Sequence, residues 1–429
     1  MDRPDPIPHH ADVLVAGAGL AGLTAALTAA HAGRRVVLFD VRSPGGRATS
    51  TERQGFVLNQ GPHALYDAGP GVAVLRALGV EVSGAPPHRV AAGAAGERVG
   101  LLPTSFGSLV RSPMLRPGSK VHLARLLARF ARIDAGALAP VSTAAWVRTL
   151  GLPADAGALL STLLRVSTYA PDLEAISADA AVRQLQLVQR GGVTYLHGGW
   201  SRLVDQLSSA AQAAGVTVVG DTRVTGLAPD GAGAWRASTT AGPWRSTSVV
   251  LATGGPDAAR ALLPTDPGWR LGPEATAACL DLGLRHVPPT PLLFALDEPL
   301  YLSTHAPSAR LAPPGAALVH VLRYGARSSD EDRDRLWRFA AQAGIRSDDV
   351  VVERFLHRMT VSHGLPVPGP GLAGRPSPAV AQMPGLFVAG DWVGPVGMLA
   401  DAAVVSGRAA GEVAAAAPRG TPASAMVGR

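Results

Sequence analysis

Residues Ala11–Asp40 read "ADVLVAGAGLAGLTAALTAAHAGRRVVLFD", and few folds accept that order. "DVLVAG" is a short aliphatic run that suits a buried strand. Gly17, Gly19 and Gly22 then form G-x-G-x-x-G. "LAGLTAALTAAHAG" is rich in Ala and Leu, which favour a helix, and Gly33 stops it. "RRVVLFD" is a second strand that ends in an acid. In such a unit Gly17 permits the tight turn, Gly19 lets a pyrophosphate approach the backbone, and Gly22 lets the helix pack on the sheet. The free N–H groups of the helix start favour phosphate. Asp40 lies 23 residues after Gly17, where an acid meets the adenosine ribose hydroxyls. The unit predicts a dinucleotide site. At this point NAD and FAD both fit.

The following "SPGGRATS" adds Gly45, Gly46 and Arg47. Glycines let backbone come close to a ligand, and an arginine can neutralise a diphosphate. The chain has 429 residues, enough for two packed domains. Its single cysteine, Cys279, rules out an internal disulfide framework and a cysteine-based metal cluster, and no metal site is expected. The net charge is +7, and Lys120 is the only lysine, so nearly every cation is arginine. A basic balance suits nucleic acid, anionic lipid or anionic substrates, or simply solvated arginines. No basic motif with interleaved aromatics appears, so nucleic acid is not expected as a partner. "MDRPDPIPHH" has no apolar core and no run is long enough to span a bilayer, so the expected location is cytoplasmic.

Three further blocks carry a family likeness. They are "FVLNQGPHALYD" at Phe56–Asp67, "YLHGGWSRLVDQLSSAAQAAGVTVVGDTRVTGL" at Tyr195–Leu227, and "GLFVAGDWVGPVGMLADAAVVSGRAAGEVAAA" at Gly385–Ala416. With "GAGLAGL", "LFD" and "GGR", they resemble the flavin-containing amine oxidase superfamily, in particular its phytoene desaturase and protoporphyrinogen oxidase-like members. The resemblance implies an α/β fold: a Rossmann-type FAD-binding domain with an inserted α+β substrate domain. It divides the chain into residues 1–75, 191–285 and 345–429 for FAD, and 76–190 and 286–344 for substrate. It also implies FAD contacts from Gly17, Gly19, Leu20, Ala21, Gly22, Asp40, Val41, Gly46 and Arg47. Further contacts fall on Gly61, Pro62 and His63 beneath the ring, on Val224 at the adenine, and on Gly390, Asp391, Met398, Leu399 and Ala402 in the closing motif. Cys279 does not match the tethering position of some members, so the FAD is expected to be non-covalent.

Residues 191–285, on the FAD side of that division, show further strands, and residues 76–190 and 286–344 read as substrate domain. "VTVVGDTRVTGL" reads as a strand pair, and "AWRASTTAGPWRSTSVVLATGG" as a hairpin that feeds a further sheet strand. "PLLFALDEPLYLSTHA" and "AALVHVLRYG" read as strands, with Tyr301, His305 and Tyr324 as residues that could face a cavity. Residues 76–190 read as mostly helical. Within them Ser119–Leu138 sets Val121, Leu123, Leu126, Leu127 and Phe130 against Lys120, Arg125, Arg129 and Arg132. Such a helix packs inward on a soluble protein or makes peripheral contact with a membrane.

No nucleophile motif stands out, so the flavin is expected to be the reactive group. The resemblance implies hydride transfer from a substrate C–H to flavin N5. The catalytic candidates are His363, His63 and Tyr324, with His357 and Arg358 as further substrate contacts. Amine oxidases of the family commonly set a lysine near N5 and an aromatic cage beside it. Here the only lysine is in the insert, and Leu399 stands at a cage position. These departures favour a bulky apolar substrate and desaturation of a C–C or C–N bond. Amine oxidation, flavin-dependent isomerisation and a non-redox lipid carrier are the alternatives.

Overall fold

In the computed structural model, residues 9–103, 106–231 and 233–418 are described, so residues 1–8 and 419–429 at the chain ends lie outside them. The N-terminal unit forms as its sequence requires. Strand His9–Ala16 pairs in parallel with Val36–Phe39, and helix Leu20–His31 connects them. Gly33 takes a left-handed φ of 75° just past that helix. The sheet grows from this pair to seven strands. Its order is Thr217–Val219, Val36–Phe39, His9–Ala16, Gly242–Leu251, Trp235–Thr239 and Val224–Pro229, with Leu386–Val388 paired to Gly242–Leu251. The inner strands are buried on both faces, as continuous aliphatic runs must be.

The hairpin reading of "AWRASTTAGPWRSTSVVLATGG" holds, since Trp235–Thr239 and Gly242–Leu251 are antiparallel neighbours. The strand pair read from "VTVVGDTRVTGL" needs correction. Thr217–Val219 lies at one edge of the sheet and Val224–Pro229 at the other. The short link between them crosses at Asp40, whose N–H donates to Val219 and whose carbonyl accepts from Thr222. Strand propensity marked both runs but carries no information on their partner.

The closing helix Leu399–Ala416 packs along Leu20–His31. Gly407 and Gly411 make this approach possible. A Cβ on Gly407 would run into the carbonyl oxygen of Ala21, and one on Gly411 would meet that of Ala25.

A second seven-stranded sheet runs Val350–Ser362, Ala275–Leu284, Ala317–Tyr324, Leu300–Ala306, Leu292–Ala295, Ala92–Ala95 and Arg98–Leu101. Helix Ser329–Gln342 covers one face through Leu336, Phe339 and Ala340. The helical insert, from Phe106–Arg111 to Ala178–Gly191, packs nearby. Two strands from segments read as FAD-binding, Ala275–Leu284 and Val350–Ser362, belong to this second sheet. The division between the sheets therefore falls near residues 275 and 362. The insert also contributes the hairpin Ala92–Ala95 and Arg98–Leu101, which its helical periodicity did not show.

Candidate functional site

Between the two sheets lies a cavity of about 1680 Å³. At one end it is lined by the glycine turn. Gly17 has φ 104°, and a Cβ there would strike the carbonyl of Ala252. Gly19 starts helix Leu20–His31 with no side-chain cap and no acid in the first turn, and a Cβ on it would meet nothing within 4 Å. The turn thus leaves open space beside uncapped N–H groups, the arrangement a pyrophosphate needs. Leu20, Ala21, Asp40, Val41, Gly46 and Val224 line the same end. The Asp40 carboxylate accepts from the N–H of Ala18 at 2.6 Å and of Arg42 at 3.0 Å.

The closing motif comes back to this end from the far side of the chain. Strand Leu386–Val388 carries Gly390 and Asp391 to the cavity. The buried Asp391 carboxylate accepts from Arg47 at 2.8 Å and from the N–H of His363 at 3.0 Å. Nδ1 of His363 sits 2.9 Å from its other oxygen. Burial opposes the charge, yet Arg47 and His363 hold Asp391 well below the ordinary carboxylate range. Arg47 also donates to the carbonyl of Val361 at 2.8 Å. Trp392, next to Asp391, turns away from the cavity. Its indole N–H donates to the Gly254 carbonyl at 2.8 Å and its ring packs on Trp269. Arg375 is buried beneath the motif and donates to the carbonyls of Asp391 and Gly397.

Pro62 and His63 line the middle of the cavity. His63 packs edge-on against Trp200, and its Nδ1 lies 3.1 Å from the Gly61 carbonyl. Burial pushes its pKa down to about 4, so near neutral pH the ring is uncharged, Nδ1–H donates to Gly61, and Nε2 is left as an acceptor. This segment is fixed from below. Arg354 donates both to the Asn59 carbonyl and to Asp281, which is fully buried and also pairs with His320 at 2.6 Å. Burial works against the Asp281 charge, and His320 and Arg354 more than offset it, holding its pKa low.

The far end of the cavity is walled by Leu163, Val166, Tyr169, Phe294, Tyr301 and Leu322. His357, Arg358 and His363 line the cavity as well. Five residues read as site residues do not reach its surface: Gly22, Gly61, Met398, Ala402 and Tyr324. Gly22 instead faces the Gly17 carbonyl, the close helix–sheet contact that its position in the motif requires. Tyr324 stands behind the wall, packed on Tyr169 and Tyr301. His305 stacks on Tyr195, also behind the lining. The three catalytic candidates are therefore not brought together. His363 joins Asp391 and Arg47, His63 joins Trp200, and Tyr324 joins the tyrosine cluster.

The residues present fit a flavin dinucleotide on evidence independent of motifs. Thr253 and Trp200 both line the cavity, and the Thr253 hydroxyl and the Trp200 indole N–H are buried without a partner. Buried polar atoms of this kind call for a ligand that hydrogen-bonds. The closing helix Leu399–Ala416 also begins at the cavity, with no side-chain cap, and Leu399 holds a left-handed φ of 54° there. Thr253 was legible as the end of "VVLATGG". Tyr169 and Phe294 were not, since an aromatic in a helix end or a strand reads as core. The aromatic share of the wall is also higher than an aliphatic reading of the insert suggests.

The profile of the FAD dependent oxidoreductase family matches residues 12–415. No curated protein matches the chain by sequence. Among solved structures, putrescine oxidase bound to putrescine superposes with a TM-score of 0.74 at 16% identity, covering 96% of this chain and 100% of that one. A putative protoporphyrinogen oxidase from Exiguobacterium sp. 255-15 gives 0.70 at 16% identity, with 95% and 99% covered. Cyclohexylamine oxidase from Brevibacterium oxydans IH-35A gives 0.69 at 17%, with 96% and 98% covered. At these identities the structural likeness speaks for the fold.

Proposed function

Because the chain belongs to the FAD dependent oxidoreductase family, its chemistry is that of a flavoenzyme, and we propose that its substrate is a bulky, largely apolar molecule that loses a hydride to the flavin and a proton to a cavity base or water in forming a C=C or C=N bond. Bound FAD supplies the hydride acceptor. The glycine turn, Asp40, Arg47 and Asp391 hold the dinucleotide. The wall from Leu163 to Leu322 buries the substrate and excludes water.

The far wall carries this reading. Its six residues offer apolar side chains and only two phenol hydroxyls, Tyr169 and Tyr301. Burial at roughly 25 cal/mol per Å² gives such a wall its affinity. The fixed tautomer of His63 offers Nε2 to a substrate O–H or N–H. The only lysine, Lys120, donates to the Val110 carbonyl at 2.6 Å and lies outside the cavity. Leu399 gives no ring face. The aromatic wall of Tyr169, Phe294 and Tyr301 favours amine oxidation as a second reading, because a cation or amine can dock on ring faces.

Anaerobic mixing followed at the flavin absorption band separates the two. Polyene or polycyclic precursors and a porphyrinogen should bleach the band, and benzylamine and putrescine should not. Rapid bleaching by the small amines alone replaces this reading with amine oxidation. Counting reducing equivalents over one turnover then separates net oxidation from isomerisation.

A further inference from the structure

From Arg98 to Ile133 the chain has seven cations and no acid. The structure gathers part of this stretch on one surface. Helix Pro117–Phe130 buries Leu123, Leu126 and Phe130 and turns Val121, His122, Arg125 and Arg129 outward. Helix Phe106–Arg111 ends beside it, because the Lys120 ammonium reaches the Val110 carbonyl. Val110 is 59% exposed and Val121 48%, both among the most exposed large apolar side chains of the described residues. No described ion pair engages Arg111, Arg125, Arg129 or Arg132.

We infer that this surface docks on an anionic lipid bilayer. Unpaired arginines around exposed valines match acidic headgroups over acyl chains, with charge holding the protein and the valines entering the interface. A solvated face would normally mix charges of both signs and would have no need of exposed valines. The inner side of the same elements adds the second observation. Leu109 and Leu123 pack into one apolar cluster with Phe294, Tyr301 and Leu322, which wall the far end of the cavity. The bilayer contact is thus the outer face of the substrate wall. The docking itself stands on the surface alone, and only its use as an entry route for substrate rests on the apolar-substrate reading.

Co-sedimentation of the FAD-loaded protein with vesicles tests it, with no substrate present. Binding is expected to vesicles of phosphatidylglycerol and phosphatidylcholine, to weaken steeply in high salt, and to be absent with phosphatidylcholine alone. Arg125→Glu with Arg129→Glu should lower binding by at least about tenfold, and Val110→Asp with Val121→Asp should lower it too. Both pairs are exposed, so the melting temperature and flavin spectrum should not change. The inference is overturned if the protein never sediments with anionic vesicles, or if these variants bind as the parent does. Equal loss of binding to a DNA duplex, without vesicle binding in the parent, would make the surface a nucleic-acid site instead.

Discussion

Asp391 is the residue on which the site turns. It is buried, ionised, and bonded to Arg47 and His363 at once. Asp391→Ala should cost about 1.5–3 kcal/mol of charge-assisted hydrogen bonding, so FAD affinity should fall by about tenfold or more. Fluorescence titration of free flavin into the apoprotein measures it. His363 lines the cavity beside Asp391, and if it takes the substrate proton in place of His63, His363→Ala should slow flavin reduction more than it weakens substrate binding. Asp401 behaves in the opposite sense. It sits in the first turn of Leu399–Ala416 and caps helix Pro70–Ala77 by accepting from the Gly71 N–H at 2.9 Å. Burial pushes its pKa up to about 7, and its other oxygen has no partner. The folded state therefore binds the proton more tightly than the unfolded one. The contribution is full below about pH 4 and is lost as pH rises through about 7. Melting temperature measured across that window should fall in the parent protein, and Asp401→Asn should flatten the slope. The sequence showed Asp391 because a strand ended on it, and hid Asp401 because an acid early in a helix looks like any N-terminal charge. Asp281 and Arg354 were hidden for a related reason, as partners 73 residues apart that only the sheet brings together.

Elements were more legible than their partners. Runs such as "AALVHVLRYG" gave strands, and Gly215, with φ 83°, closed helix Ser201–Ala213 as a glycine stop should. Which strands pair depends on tertiary packing, so Thr217–Val219 and Val224–Pro229 went to opposite edges. The small-residue pattern "ADAAVVSGRAAGEV" was informative because close helix packing demands it. Gly407→Val should push a branched side chain into the Ala21 carbonyl and cost about 1–3 kcal/mol or more. It should also loosen FAD, since helix Leu20–His31 carries the phosphate turn. Gly157→Ala is the control. It lies within helix Ala154–Thr168, where a Cβ meets nothing, and should raise stability by about 0.5–1 kcal/mol. Chemical denaturation of both variants gives the comparison.

At the scale of the molecule, the cavity that fits the cofactor lies between two sheets and is lined by segments from across the chain. Motifs located the dinucleotide sheet because phosphate binding constrains backbone and glycine. The second sheet left no such mark, because a substrate wall needs only apolar surface. Ligand contact with so many segments should stabilise the whole fold. FAD at about 100 times its dissociation constant adds roughly 2.7 kcal/mol, which a thermal melt with and without added FAD should show as one cooperative shift. Acid precipitation should release the yellow colour, since no cysteine is placed for a tether. The ion pair between Arg47 and Asp391 spans 344 positions of chain, and this has a consequence for timing. A ribosome makes the glycine turn and Arg47 early, and for most of translation that arginine has no carboxylate to hold it. The clamp closes only when the last strand and helix have been made. Cofactor capture is therefore a late event in the life of each new chain, and truncated translation products should be colourless.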